Sequence, residues 1–531
     1  MLLASLLPYT PVKAQETNTI SIDTLCENSD FDVIFDPQPI FDENEKHTYF
    51  FHRWANWLHI TTKIKTLKNE TAFFLKNCNK NQANIEELER HLRSKKYLKD
   101  AEVTKDPILK TITVKTKDNW SLLPSASFSR KGGENAYSWG IKERNLLGLG
   151  IYAKLESYKN TQRSGYLISS SIPLFQKNNT ELSLRFADND DGDQKSLFLQ
   201  KSFVSFQTNY AYSVGFNDIL RNDTIFQNGE DQSKFTHDIS YKNASYAWLT
   251  ENNDNYTLRY RVGVTQDKET FTTLTQPIDD LPSNQLPLDR DFLYPWLGID
   301  YVEKEYSKRT NIHLITQIED FNTGWQVNGL AGAGNGNKDN GAWFVWQAQI
   351  KKGLSFTNHS LLLLKLLLLG DVYDDRDTRI LSRFDAEYFY PFSSTWGFYL
   401  NNVTTFSQNQ YIDKPVSIGG ETGLRGFPLQ YQHGEHSVKF TSEIRYYPQI
   451  NIFKLFDLAG AAFFDSGKAF GDTLIDNIEN NWLYSAGIGA RFYSPHSSKA
   501  HQMIHVDLAF PLSDNPDINS VEIRFQVKQT F

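Results

Sequence analysis

Along most of the chain, apolar and polar side chains alternate one by one. Val521, Ile523, Phe525, Val527 and Phe531 fall on one face, and Glu522, Arg524, Gln526, Lys528 and Thr530 on the other. Trp482, Tyr484, Ala486, Ile488, Ala490 and Phe492 oppose Ser485, Gly487, Gly489 and Arg491, and Ile504, Val506, Leu508 and Phe510 oppose His505 and Asp507. A period of two is the signature of a β-strand with unlike faces. From Trp120 onward the chain divides into segments of about 9–14 residues, broken by Gly, Asn and Asp turns. Leu361–Leu369 is the densest apolar run; it is read as a lipid-exposed strand with Lys365 turned inward.

Before Trp120 the periods are mixed. Phe31–Phe35 alternates, Tyr49–Ile60 has helical spacing, and Ile85–Arg93 puts Ile85, Leu88 and Leu92 on one stripe. Asn84 is the expected N-cap, with Glu86 and Glu87 in the first turn. Ala101–Thr104 and Thr111–Lys115 alternate again, on either side of Asp106-Pro107. The order strand–helix–helix–strand–strand predicts a small α+β module.

Composition narrows the choice for the large region. Aromatics make up 14% of the 531 residues, charged residues 22%, and mean hydropathy is −0.50. No window reaches the roughly 20 apolar residues of a spanning helix. A transmembrane β-barrel and a soluble sandwich both fit these totals. The barrel is favoured by aromatics near strand ends and by charges deep in strands, such as Glu443, Arg445 and Asp465. A sandwich of this many strands in one run would be unusual. Pro124, which cannot donate to a ladder, suits a weakly paired edge such as a barrel seam. The net charge of −8 argues against a nucleic-acid partner.

Met1–Ala14 reads as a signal peptide lacking its basic start, with residues 15–30 as a linker. Export would allow Cys26 and Cys78 to pair or to remain thiols. Asp188–Asp193 resembles a calcium loop but lacks the final Glu, and reads as an acidic hairpin tip. Gly332–Gly336 reads as a flexible loop. The chain carries no Walker loop, G-x-S-x-G or H-E-x-x-H, and the histidines at 433, 436, 496, 501 and 505 have no ligand spacing. No enzyme, metal site or cofactor is expected.

Two motifs stand apart. Gly419-Gly420-Glu-Thr-Gly-Leu-Arg425-Gly426-Phe427 lies between two strands, and Phe463-Phe-Asp465-Ser-Gly467 follows. Together they resemble the loop and strand signatures of the bacterial surface antigen superfamily, which comprises outer-membrane assembly factors and two-partner-secretion transporters. Five strand-like segments follow the loop, as that family has. Glu89–Arg93, Tyr97-Leu98 and Ala101–Val103 resemble its periplasmic POTRA module, and Asn145–Gly150 its first periplasmic turn.

The resemblance implies a POTRA-like domain over 31–118 and an outer-membrane antiparallel barrel over 119–531. The family barrel has 16 strands; the segments here number up to about 20. Phe531, with Phe525, resembles the family's C-terminal assembly signal. The implied partners are outer-membrane lipid, unfolded clients and periplasmic chaperones. Clients would be captured by β-augmentation and pass a weak seam between first and last strands. A dedicated secretion transporter or a passive pore are the alternatives. Phe463, Asp465 and Gly467 share a face, so Asp465 needs a cation inside the barrel, and Arg425 is the expected partner. Glu443 is the expected second acceptor.

Overall fold

Period-two segments can satisfy their backbone only by pairing sideways, and here they do so in sequence order until the last meets the first. The computed structural model describes residues 22–23, 31–38, 40, 59–75, 82–175, 179–274, 286–335, 342–356, 360–373, 377–453, 455–494 and 502–529. Among them, twenty strands form one closed antiparallel barrel, from Leu122–Lys131 to Glu522–Gln529, with the two-residue Asn451–Ile452 as an extra rung. The family-derived count of 16 is therefore too low. The alternating segments between 205 and 340 supply true ladder members, including Tyr210–Gln227, Glu230–Asn252, Tyr256–Thr273 and Arg290–Glu303. Gly332–Asn335, expected as a loop, lies within the strand Gln326–Asn335.

The alternation sorts side chains between two media. Trp139, Ile141, Tyr166, Ile488 and Ile523 are exposed on the outside, while Asp465, Arg491, Asp507, Glu522 and Arg524 are buried inside. This is the sidedness of a membrane-spanning barrel. Leu361–Tyr373 departs from it in an instructive way. Lys365 does face the lumen, but Leu361 and Leu363 are also internal and buried against Ile312, Phe389 and Tyr399. The run is apolar on both faces because its inner face packs on a second element within the barrel.

The N-terminal residues form a separate four-stranded sheet. Its order is Ile22–Asp23, Asp32–Gln38, Thr111–Asp118, Leu98–Asp106, with the central pair parallel. Helices α1 (Ile64–Leu75) and α2 (Gln82–Ser94) contribute Leu67, Phe74, Leu88 and Leu92 to a core with Val33, Phe35, Val103 and Val114. The α2 helix starts at Gln82, so Asn84 lies inside its first turn and is not its cap. The stretch expected as linker includes the strand Ile22–Asp23. Met1–Ala14, Cys26, Cys78, Phe531 and most of the helix expected over Tyr49–Ile60 fall outside the described residues.

Candidate functional site: the closed lumen and its seam

Residues 409–435 connect the strands Trp396–Gln408 and His436–Tyr446 at the end of the barrel far from the N-terminal module. A short ladder, Val416–Ile418 against Gln432–Gly434, narrows the neck of this loop. Ile418, Leu424, Phe427 and Tyr431 then pack on Ala469 and Leu483 of the wall. Gly420 N donates to Pro428 O at 2.9 Å, and a Cβ on Gly419 would sit 2.3 Å from that same oxygen. Gly423 and Gly426 adopt φ of +95° and +92°, a region that other L-residues rarely enter. Gly467 leaves room for Ile418; a Cβ there would meet its Cδ1 at 3.1 Å. The glycines thus let the loop turn inward and lie against the wall.

This places Arg425 inside the barrel. Its Nε and terminal nitrogen donate to the two oxygens of Asp465 at 2.6 and 2.8 Å, a forked contact. Its other nitrogen reaches Glu443 Oε1 at 3.1 Å, and its guanidinium lies 3.4 Å above the Phe463 ring. Arg425, Asp465 and Glu443 are all buried. Two arginines that the motifs do not single out complete the cluster. Arg445 Nε donates to Glu443 Oε2 at 2.9 Å, and Arg491 pairs with Asp507 and lies 3.5 Å from Glu443. Three guanidiniums and three carboxylates balance, which offsets the desolvation each would suffer alone.

The same loop spans the barrel's closure. The last strand pairs with its predecessor, Gln502–Pro511, from Gln502↔Gln529 to Ala509↔Glu522. With the first strand it has, among the described residues, the single register pair Phe525↔Arg130. Loop backbone compensates. Glu522, at the start of the last strand, accepts from Gly426 N at 2.7 Å and from Gly133 N, in the turn after the first strand, at 3.3 Å. Arg524 donates to Gly420 O at 2.8 Å. A Cβ on Gly132 would lie 2.7 Å from Leu429 N, so loop and turn are in backbone contact. Glu522 and Arg524 were legible only as lumen-facing charges; their loop partners are about 100 residues away in sequence.

At the opposite end a hairpin enters the lumen. Tyr306–Thr310 pairs with Ile318–Asn322, between two barrel strands, and its tip is buried. Leu314 and Ile315 pack on Tyr447, Ala459, Tyr493 and Met503, and Ile312 on Leu361, Leu363, Phe389 and Tyr399. Arg445 donates to Ile312 O at 3.0 Å, Tyr447 to Asn311 O at 3.2 Å and Thr316 to Asp457 at 2.6 Å. His313 Nε2 lies 3.1 Å from Glu387. Arg445 therefore touches the hairpin through one nitrogen and, through Glu443, the loop's Arg425. Two insertions from opposite ends meet on one buried carboxylate.

The N-terminal module sits against this hairpin. Arg93 of α2 donates to Asp320 at 3.1 Å, and Arg90 lies 4.4 Å over the Tyr306 ring. Lys63 N and Thr66 Oγ1 of the module both donate to Gly148 O in the first near-end turn, at 3.0 and 2.8 Å. Within the module Glu70 joins α1 to α2. Burial alone would raise its carboxyl, but Lys95 at 2.6 Å and His91 at 2.8 Å outweigh burial and hold it at about 2.

No family model matches the chain, and no curated protein matches it. Among solved structures it is similar to CdiB from Acinetobacter baumannii, at 11% identity over 84% of this chain and 68% of that one, with a TM-score of 0.42. It is similar to CdiB from Escherichia coli, at 13% identity over 88% and 73%, with a TM-score of 0.44. It is also similar to BamA from Haemophilus ducreyi lacking POTRA domains 1-3, at 13% identity over 87% and 81%, with a TM-score of 0.37. At these identities and scores the likeness assigns no activity to the chain.

Proposed function

We propose that this protein is an outer-membrane barrel that inserts or translocates client proteins. The observation that carries this reading is the closure: among the described residues, first and last strands share one register pair, Phe525↔Arg130, and side chains on the last strand bond the inward loop. A barrel meant only as a static wall gains nothing from a ladder this short, since each lost rung leaves backbone groups without partners. A seam of this kind can part while the other ladders stay intact. The N-terminal module, placed in the periplasm, receives unfolded chain along its sheet edge. The hairpin and loop hold the lumen shut until a client engages. Arg425 is a structural latch and takes no part in covalent chemistry.

Locking the seam tests this. Arg130→Cys with Phe525→Cys should form a disulfide, and the oxidised protein should lose function that reductant restores. Full function with the cross-link in place overturns seam opening. Quantitative proteomics of a deletion strain then separates the client classes. Loss of many outer-membrane proteins marks assembly, and loss of one exported protein marks dedicated secretion. No change in either, with steady conductance in planar bilayers, marks a passive pore.

A further inference from the structure

The N-terminal sheet has two outer sides, and they differ. Asp32–Gln38 is covered at Val33 and Ile34 by Ile22–Asp23, and it carries Pro37, which has no N–H to offer a further strand. Leu98–Asp106 is nine residues long and ends the ladder, paired on one side with Thr111–Asp118. Backbone groups along its other side are those an added strand would use. Side chains hold them instead. Glu89 Oε1 of α2 accepts from Val103 N at 3.0 Å, and a terminal nitrogen of Arg93 lies 3.5 Å from Ala101 O. Asp100 Oδ1 accepts from Ala101 N at 2.8 Å. Glu89 and Arg93, one helical turn apart, pair with each other at 3.5 Å.

Exchanging these contacts for ladder bonds leaves the module's core in place, since the side chains of Ala101 and Val103 stay packed with Leu88 and Leu92. The same helix grips the barrel. Glu87 accepts from Phe206 N at 2.7 Å, Arg90 lies over Tyr306, and Arg93 donates to Asp320 at 3.1 Å. Of these three, Arg93 also reaches the edge strand. Asp320 sits on the luminal hairpin beside Glu319, whose Oε1 accepts from Ile312 N, His313 N and Leu314 N at 3.1–3.2 Å. The bridge from Arg93 therefore ends one residue from the carboxylate that shapes the buried tip. An edge blunted only against aggregation needs no tie to the lumen.

We propose that Arg93 couples this edge to the hairpin. An extended chain that adds to Leu98–Asp106 takes Ala101 O and Val103 N, displaces the Glu89–Arg93 pair and weakens the Arg93–Asp320 bridge, which loosens the luminal hairpin. The ligand is an unfolded polypeptide in extended form, bound through its backbone and so with little demand on its sequence. The coupling runs both ways: a loosened hairpin also favours the open edge. The inference deepens the client reading and rests on it for the identity of the ligand. A harmless seam cross-link would overturn seam opening and leave the binding results below standing.

The probe is a fluorescent peptide of alternating valine and threonine, and its control carries a methyl on every backbone nitrogen. Anisotropy measures binding to the full-length protein in a neutral detergent. The peptide should bind saturably and the control should not. Glu89→Ala should tighten binding about two- to fivefold, the worth of a partly exposed ion pair. Asp320→Ala, outside the module, should tighten it by a similar factor, because a ligand that weakens a bridge binds better once the bridge is gone. This second variant carries the test by itself if Glu89→Ala fails to fold. Thermolysin cleavage within residues 311–317 should rise with peptide in the unaltered protein, and in Asp320→Ala it should be high from the start and indifferent to peptide. No saturable binding, an affinity unchanged by Asp320→Ala, or hairpin cleavage that ignores the peptide in the unaltered protein overturns the proposal.

Discussion

Glu443→Gln is the most informative single change, because Glu443 is where loop and hairpin meet. The residue is 2% exposed and accepts from Arg425 at 3.1 Å and Arg445 at 2.9 Å, with Arg491 at 3.5 Å. Glutamine keeps the shape, so no cavity term enters. It removes one negative charge from a balanced set, leaving three guanidiniums with Asp465 and Asp507. Its amide also points a donor at donors. Breaking one partner of a buried ion pair costs about 3–5 kcal/mol. The surviving forked contact with Asp465 keeps Arg425 from full isolation, so the lower part of that range is expected. Urea unfolding of the reconstituted barrel, followed by tryptophan fluorescence, measures the loss. Limited proteolysis reports the geometry: both residues 311–317 and residues 419–427 should become cleavable. Arg425→Ala should free the loop chiefly, and Arg445→Ala the hairpin chiefly. A loss under about 1 kcal/mol, the range of an exposed pair, would refute the shared node. So would exposure of only one insertion in Glu443→Gln.

The hairpin tip makes a second prediction: Ile315→Asp buries a charge among Tyr447, Tyr493 and Met503, and should raise steady conductance in planar bilayers. Traces as closed as those of the unaltered protein would show that the hairpin does not occlude the lumen. Glu522→Ala removes the acceptor shared by Gly426 and Gly133, so the yield of the Arg130→Cys/Phe525→Cys disulfide should fall at least severalfold. An unchanged yield would assign seam closure to the ladder alone. For the N-terminal module, Glu70 has a carboxyl held at about 2 against an ordinary 4.5. A folded-state value below the unfolded one stabilises fully above pH 4.5, and the gain is lost as pH falls toward 2. The span corresponds to roughly 3 kcal/mol. Pepsin should therefore cut between residues 64 and 97 increasingly across that window while the barrel resists, and Glu70→Gln should flatten the dependence.

The two-residue period made the barrel legible, and the Arg425 loop with the Phe463–Gly467 strand made the latch legible. Both are local signals: a strand shows its faces in its own sequence, and a lumen carboxylate announces that it needs a cation. The hairpin was not legible. Ile312–Ile315 lies in a stretch without strand-length alternation, and nothing nearby says that its tip is buried. The one distant trace was Leu361–Leu369, whose two apolar faces fit a strand that meets lipid outside and protein inside. The helix Ile64–Leu75 was also missed, since its apolar stripe is weaker than that of Ile85–Arg93.

The amino-acid sequence by itself determined which side chains share a strand face, because alternation is a covalent property of an extended chain. It also determined where backbone can turn tightly, through glycines such as Gly423 and Gly426. Only the tertiary structure decided that, among the described residues, twenty strands close the ring and one register pair joins its ends, and which buried charges meet. Ring closure brings residue 425 to 465 and 443, and 522 to 133 and 426, across distances no local pattern encodes. Inside a closed wall of low dielectric, those encounters decide which polar groups are satisfied.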